Sequence, residues 1–315
     1  MFHRFGAGVI STDLPLQALP ALPAPADSNT ILIAWSPSPA PTDLHWHHHW
    51  LHADEVVLSL ARQGPDYWLR VPDTADFLLQ LEPCRVLVSP AAKSLDPATL
   101  EHQLVDQILP RLLAQQGELL VHASALAIHE RHALFLGPSG WGKSTLAGLL
   151  QLNGHSVLSD DCVQLNLVDT RLHALPTYPS LRLNADSLDA LFPGLTDTAP
   201  VAGYSEKRRV PVALPDLADS GVAVDALYLL ADPADNDGAI HLTPLRPAET
   251  CLALIKHSFR LDLGDRAASA LQLERCSHIA RTVPAFRLDY PRDYSQHAAL
   301  VQAITQHLAA LPALS

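Results

Sequence analysis

The apolar positions along the chain change their period near residue 100. Before it, short apolar runs at 30–35, 56–61, 67–71, 77–81 and 85–89 are separated by Pro, Asp and Gly. That spacing predicts short strands joined by turns, so residues 1–98 are expected to form a β-rich N-terminal domain. Beyond it, Leu100, Leu104, Ile108 and Leu112 recur four residues apart with Val105 and Leu109 alongside. This predicts an amphipathic helix, kinked or broken at Pro110. Two strands follow, at 119–128 and 133–136. The four residues between them are too few for a parallel crossover, so the pair is expected to be antiparallel. A helix at 146–152 is closed by Asn153-Gly154, and a short strand at 156–158 ends in Asp160-Asp161. Further on, 226–230 and 283–288 read as strands. The stretch 247–259 reads as a helix opened by proline, and 298–311 as an amphipathic helix. The fold class expected is α/β, with a second domain over 99–315.

Composition narrows the partners. The chain has 315 residues, 48% hydrophobic and 17% charged, with a formal net charge of -12. It can bury a large core, and an acidic balance disfavours a general nucleic-acid binder, which needs clustered Lys and Arg. Cys84, Cys162, Cys251 and Cys276 show no CxxC spacing. That argues against a disulfide framework or zinc knuckle and fits a reducing compartment. Asp13, Pro15, Pro20 and Pro23 interrupt the N-terminal stretch, and no run of about 18 apolar residues occurs. The expectation is a cytoplasmic protein without a membrane partner.

One motif carries most of the chemistry. Gly137-Pro138-Ser139-Gly140-Trp141-Gly142-Lys143-Ser144, followed by Thr145, matches the phosphate-loop (Walker A) pattern GxxxxGK(S/T) between a predicted strand and helix. Its backbone N–H groups and the helix N-terminus suit a phosphate chain. Lys143 would reach the β- and γ-phosphates, and the Ser144 hydroxyl would ligate Mg²⁺. Seventeen residues on, Asp160-Asp161 end a strand, where open sheets present ligands. One carboxylate can hold Mg²⁺ and the other accept a proton from an attacking hydroxyl. Neither an LSGG-type signature nor an NKxD element accompanies the loop, which weakens transport ATPases and GTPases. About 136 residues precede it, unlike most small-metabolite kinases.

Val121-His122-Ala123-Ser124-Ala125, the loop, Gly154-His155 and Leu158-Ser159-Asp160-Asp161 together resemble the kinase core of HPr kinase/phosphorylase and its relatives. The wider chain resembles the branch associated with lasso-peptide precursor kinases. The resemblance implies a mixed-sheet phosphate-loop fold related to phosphoenolpyruvate carboxykinase, an ATP- and Mg²⁺-dependent kinase, and a peptide or small-protein substrate. It also implies a histidine near the transferred phosphate at His122. It puts base and metal roles on the acidic pair, with a lean to Asp160 as base and Asp161 on Mg²⁺. A homo-oligomer is compatible with it. The EIRGLG-like signature that follows the acidic pair in the family's phosphorylases is absent, which makes phosphorolysis and HPr itself doubtful.

Softer candidates remain. The basic stretch Ser205-Glu206-Lys207-Arg208-Arg209 places Lys207 or Arg208 as a phosphate or substrate clamp, and Arg182 is a similar candidate. The run His45, His47, His48, His49 and His52 invites a metal reading, but adjacent strand residues face opposite ways. The function expected is transfer of phosphate from ATP to a Ser or Thr hydroxyl of a small protein or ribosomally made peptide. The alternatives are a nucleotide-dependent regulatory module without catalysis and a kinase of a small metabolite.

Overall fold

The computed structural model describes residues 1–23, 30–91, 95–178, 180–212 and 220–313. The first part of the chain forms β1 (Phe2–Phe5), β2 (Gly8–Thr12), β3 (Ala21–Leu22), β4 (Thr30–Trp35) and β5 (Trp46–His52). It continues with β6 (Glu55–Gln63), β7 (Asp66–Val71), β8 (Ala75–Gln80) and β9 (Arg85–Pro90). All nine join one mixed sheet in the order β3-β1-β2-β4-β9-β8-β7-β6-β5. The tight turn between β5 and β6 is made by Ala53 and Asp54, both at positive φ, which suits the right-handed twist of paired strands.

Next come α1 (Pro97–Gln103), a π-helical turn at Leu104–Ile108, and α2 (Leu109–Gln115). Asp96 caps α1, its carboxylate accepting from the Thr99 amide at 3.0 Å. Pro110 has no N–H to give the Asp106 carbonyl, and just ahead of it the Leu109 amide reaches back to Leu104 instead. The single helix predicted from the sequence is therefore interrupted by a wider turn. Leu100, Leu104, Val105, Ile108, Leu109 and Leu112 pack beneath the nine-stranded sheet, in one cluster with Phe5, Ile10, Leu69 and Phe77. Leu120, Cys162, Tyr178 and Leu261 join the same cluster, so one apolar core runs across position 98.

The remainder comprises β10 (Leu119–Val121), β11 (Ala123–Ile128), β12 (Arg131–Leu136), α3 (Lys143–Leu152), β13 (Ser156–Ser159) and β14 (Val163–Val168). Then follow β15 (Arg171–Pro176), β16 (Ser180–Leu183), α4 (Ala185–Leu191), β17 (Ala199–Pro200), β18 (Arg208–Pro211) and β19 (Val222–Ala223). The last elements are β20 (Ala226–Leu230), β21 (His241–Pro244), α5 (Pro247–His257), α6 (Arg266–Thr282), β22 (Ala285–Asp289) and α7 (His297–Ala310). A six-stranded sheet ordered β13-β11-β12-β20-β22-β21 forms the centre. β11 and β12 pair antiparallel, as their short connection requires, while β12, β20 and β22 run parallel.

Strand alternation gives this sheet two buried faces. Leu126, Ala133 and Phe135 pack with Leu146 and Leu150 of α3 and with Ile304 and Leu308 of α7. Ala125, Leu134 and Leu136 face Leu254 of α5 and Cys276 and Ile279 of α6. The architecture is mixed α/β with mixed sheets. Two expectations need correction. The single strand predicted over 119–128 is two: β10 belongs to the sheet β10-β14-β15-β19, and β11 to the central one. His122 lies at the switch, its amide donating to the His257 carbonyl at 2.7 Å. Helix α6 has no counterpart in the apolar pattern, because it buries only Cys276, Ile279 and Ala280 and so carries little apolar periodicity. No helix among the described residues is long and apolar enough to cross a membrane.

Candidate functional site

The segment matching the phosphate-loop pattern occupies the turn from β12 into α3. Gly140 and Gly142 adopt φ of 83° and 92°, where a side chain would be strained. At Gly142 a Cβ would also stand 3.2 Å from the Tyr290 hydroxyl. Arg292 braces the loop from outside. Its Nη2 donates to the carbonyls of Trp141 (3.0 Å) and Ala231 (3.1 Å), its Nη1 to that of Tyr290 (2.5 Å). The Trp141 ring packs against the core cluster that holds α3 and α7, so it anchors the loop. Lys143 is buried, its Nζ donating to the carbonyls of Gly137 (2.8 Å) and Pro138 (3.1 Å). Burial lowers the pKa of this lysine, against the pull of Asp161 and Asp160. The Thr145 hydroxyl lies 2.9 Å from that of Ser187, which ties the start of α3 to α4.

The turn after β13 holds the acidic pair. Ser159 Oγ donates to the Cys162 carbonyl at 2.7 Å, and Thr177 Oγ1 donates to the same carbonyl at 2.8 Å. Within this locked turn Asp161 sits at a left-handed φ of 66°, a conformation found where surrounding structure imposes it. Asp160 is fully buried and accepts from Ser124 Oγ at 2.5 Å. The backbone N–H of Arg182 donates to its other oxygen at 3.4 Å, and the nearby Ser144 hydroxyl favours its charged form. Burial and the neighbouring Asp161 raise its pKa to about 6. Asp161 instead lines the open cleft. Burial pushes its pKa up, but His122, Arg182 and Lys207 outweigh that and hold it below the ordinary value. Asp161 lines the same pocket as Ser144, while Asp160 lies enclosed behind it.

His122 lies beside Asp161. Its Nδ1 is 2.8 Å from the Asp161 carbonyl, an acceptor, so Nδ1 carries the proton. Nε2 is then left 3.8 Å from Asp161 Oδ1. Burial and Lys143 lower the His122 pKa, against the pull of Asp161, and keep the imidazole neutral near pH 7. Lys207 reaches both the phosphate pocket and the cleft. Arg208 does not: its guanidinium holds Thr198, donating to Oγ1 at 3.1 Å and to the carbonyl at 2.5 Å. It thereby holds β18 to the residue that precedes β17.

Arg182, a clamp candidate in the sequence, comes together with Asp106, which carried no such signal. Arg182, 2% exposed at its side chain, is ion-paired with Asp106 and lies 3.7 Å from Asp161. Asp106 also pairs with His102 and accepts from the Tyr178 hydroxyl at 3.2 Å. Burial pushes the Asp106 pKa up, but Arg182 and His102 hold it well below the usual carboxylate range. The one available hint was a carboxylate in the apolar run Leu104-Val105-Asp106-Gln107-Ile108-Leu109, where an unpaired charge would be costly.

A cleft of about 450 Å³ adjoins the phosphate pocket, sharing Ser139, Asp161, Arg182 and Lys207 with it. Its other walls include His52 and Val57 of the β5–β6 hairpin, His102, Tyr204 and Phe259. The histidine run disperses along β5. His49 Nδ1 lies 2.9 Å from Ser59 Oγ, and the His48 ring meets Trp50 edge-on at 4.5 Å. No group of three or more His, Cys, Asp or Glu among the described residues is placed to hold a metal ion. A serine hydroxyl beside one buried carboxylate with a raised pKa is a different donor set. It suits Mg²⁺, which takes few protein ligands and completes its shell with phosphate and water.

No protein-family model matches the chain, and no curated protein does. Among solved structures, the HPr(Ser) kinase/phosphatase from Coxiella burnetii is similar at 15% identity, over 60% of this chain and 95% of that one, with a TM-score of 0.32.

Proposed function

We propose that the protein is an ATP- and Mg²⁺-dependent kinase that phosphorylates a Ser or Thr hydroxyl of a small protein or ribosomally made peptide. The supporting observation is the junction of two spaces, a phosphate pocket on the loop and a larger cleft, with Asp161 at their meeting point. A pure nucleotide sensor has no need of a carboxylate facing an acceptor space.

The loop amides and Lys143 would hold the phosphates, and Ser144 with Asp160 would hold Mg²⁺. A cation held there would supply positive charge to the phosphate chain. Asp161 takes the proton from the acceptor hydroxyl as its oxygen attacks the γ-phosphorus. The bond to the β–γ bridging oxygen breaks and ADP leaves. Lys207 and Arg182 bring positive charge to the junction, where negative charge builds on the transferring group. The cleft's breadth and its wall from the β5–β6 hairpin favour a polypeptide acceptor over a small metabolite. Leu51, Val56 and Val57 stand exposed on that hairpin, so it would select the substrate.

The test is transfer of label from γ-labelled ATP, with Mg²⁺, to peptides encoded by neighbouring genes, to HPr, and to a panel of small hydroxyl metabolites. Lys143→Ala and Asp161→Asn serve as controls. Label on a peptide Ser or Thr, lost in both controls, is the expected result. Label on a metabolite alone would replace the acceptor class, and no transfer with ATP still bound would favour a regulatory module.

A further inference from the structure

Asp106 lies outside the phosphate loop and the acidic pair, yet it fixes a group that faces both. It projects from the π-helical turn Leu104–Ile108, and such widened turns are frequent at functional sites. Its two oxygens are divided: Oδ1 accepts from the Tyr178 hydroxyl at 3.2 Å, and Oδ2 takes Arg182 Nη1 together with His102 Nδ1. The Arg182 guanidinium is further held over the Tyr178 ring, 4.4 Å from its centroid. With Nη1 committed to Asp106, Asp161 Oδ2 is left 3.7 Å away, beyond a good hydrogen bond.

Arg182 Nε and Nη2 are buried without a partner. They belong to a side chain 2% exposed that lines both the phosphate pocket and the cleft. A guanidinium offers five donors in a fixed fork, and buried donors are seldom left unanswered. Two of them beside a phosphate pocket point to an anion that completes the set.

We infer that Asp106 is a positioning residue: it holds Arg182 so that the guanidinium's free N–H groups grip the terminal phosphate of the nucleotide, and it keeps Arg182 from closing onto Asp161. The inference rests on the reading of residues 137–145 as a nucleoside triphosphate site. The same helical segment steadies the other cation of the junction. Thr99 Oγ1 accepts from the Gly203 amide at 2.9 Å, and Glu101 pairs with Arg209 at 2.6 Å, on either side of Lys207.

The experiment compares ATP with ADP by calorimetric titration into the full chain in the presence of Mg²⁺, which reads the terminal phosphate without requiring turnover. Charge-assisted donors on that phosphate should make wild type prefer ATP by about tenfold or more. Arg182→Met is expected to cut that preference. Asp106→Asn should cut it equally with ADP affinity unchanged, and the double variant should lose no more than Arg182→Met alone. Tyr178→Phe removes one hydroxyl from Asp106, should show part of the same loss, and serves if Asp106→Asn does not fold. The inference is overturned if Asp106→Asn or, failing it, Tyr178→Phe keeps the wild-type preference while Arg182→Met loses it. Additive losses in the double variant overturn it as well. Absence of any nucleotide binding by wild type would overturn the phosphate-site reading and this inference with it. Absent transfer with the ATP preference intact would count against the kinase alone.

Discussion

Two adjacent aspartates with the same sequence signal end in different surroundings. Asp160 is enclosed with Ser124 and Ser144, whereas Asp161 is turned by its left-handed backbone into the cleft beside His122. Asp161→Asn keeps the shape but removes the carboxylate proposed as base, so single-turnover transfer should fall on the order of 10²- to 10⁴-fold, while ATP affinity measured by calorimetry stays near wild type. Lys143→Ala should lose both. A third residue gives a pH dependence away from the acidic pair. His257 is held at a pKa of about 4 by burial, with His122, Lys143 and Lys256 adding repulsion, against about 6.5 for an unperturbed imidazole. Between those values the unfolded chain binds a proton the native state refuses. This contribution to stability is therefore full above about pH 6.5 and is lost as pH falls toward 4. Urea unfolding at pH 7, 5.5 and 4.5 should show that fall, and His257→Gln should flatten it. An unchanged slope would remove His257 from the account.

At the scale of elements, the phosphate loop is gripped as well as glycine-rich. Arg292 reaches the carbonyls of Trp141, Tyr290 and Ala231, joining the loop to the ends of β20 and β22. Its removal should leave the fold intact and loosen the cradle. Arg292→Ala is expected to weaken ATP binding several-fold with little change in the urea midpoint, whereas Gly142→Ala, forced into a left-handed φ, should cost about 1–2 kcal/mol of stability as well. Equal loss of stability in both variants would make Arg292 a structural residue only. The π-helical turn is the second such element. Its cause, a missing amide at Pro110, is local, but what it presents, Asp106 and its partners, is assembled from distant parts of the chain.

For the whole molecule, the two halves are joined by packing as well as by sequence. Leu100, Leu104, Ile108 and Leu112 are covered by side chains of the nine-stranded sheet, and Leu120, Cys162 and Tyr178 meet the same cluster. A fragment spanning 99–315 should therefore expose this apolar surface. We expect it to bind a hydrophobic dye and to lose its near-UV circular dichroism. A fragment with a sharp, cooperative melt would show that the second part folds alone. The same packing carries the β5–β6 hairpin to the cleft, where His52 and Val57 form part of the wall. Elements far apart in sequence thus bound one space.

What the sequence by itself determined was local. The strand–loop–helix around Gly137–Ser144 follows from glycine spacing and flanking periodicity, and the antiparallel β11–β12 pair follows from a connection too short to cross over. Strands β4 and β6–β9 were legible from apolar runs bounded by turn residues, whereas β1, β2, β3 and β5 gave no such signal. Also legible were α5, opened by Pro247, and α7, whose apolar positions repeat at helical spacing. Helix α6 was hidden because its exposed, polar surface leaves almost no such repeat. The tertiary structure alone decided the rest, because burial and charge pairing depend on neighbours distant in the chain. It placed Asp160 against Ser124 and Ser144, brought Arg182 to Asp106 across 76 residues, and drew Lys207 to the phosphate pocket while turning Arg208 away. A residue's type sets which chemistry it can perform, but its dielectric surroundings and its partners decide which it does, and those exist only once the chain has folded.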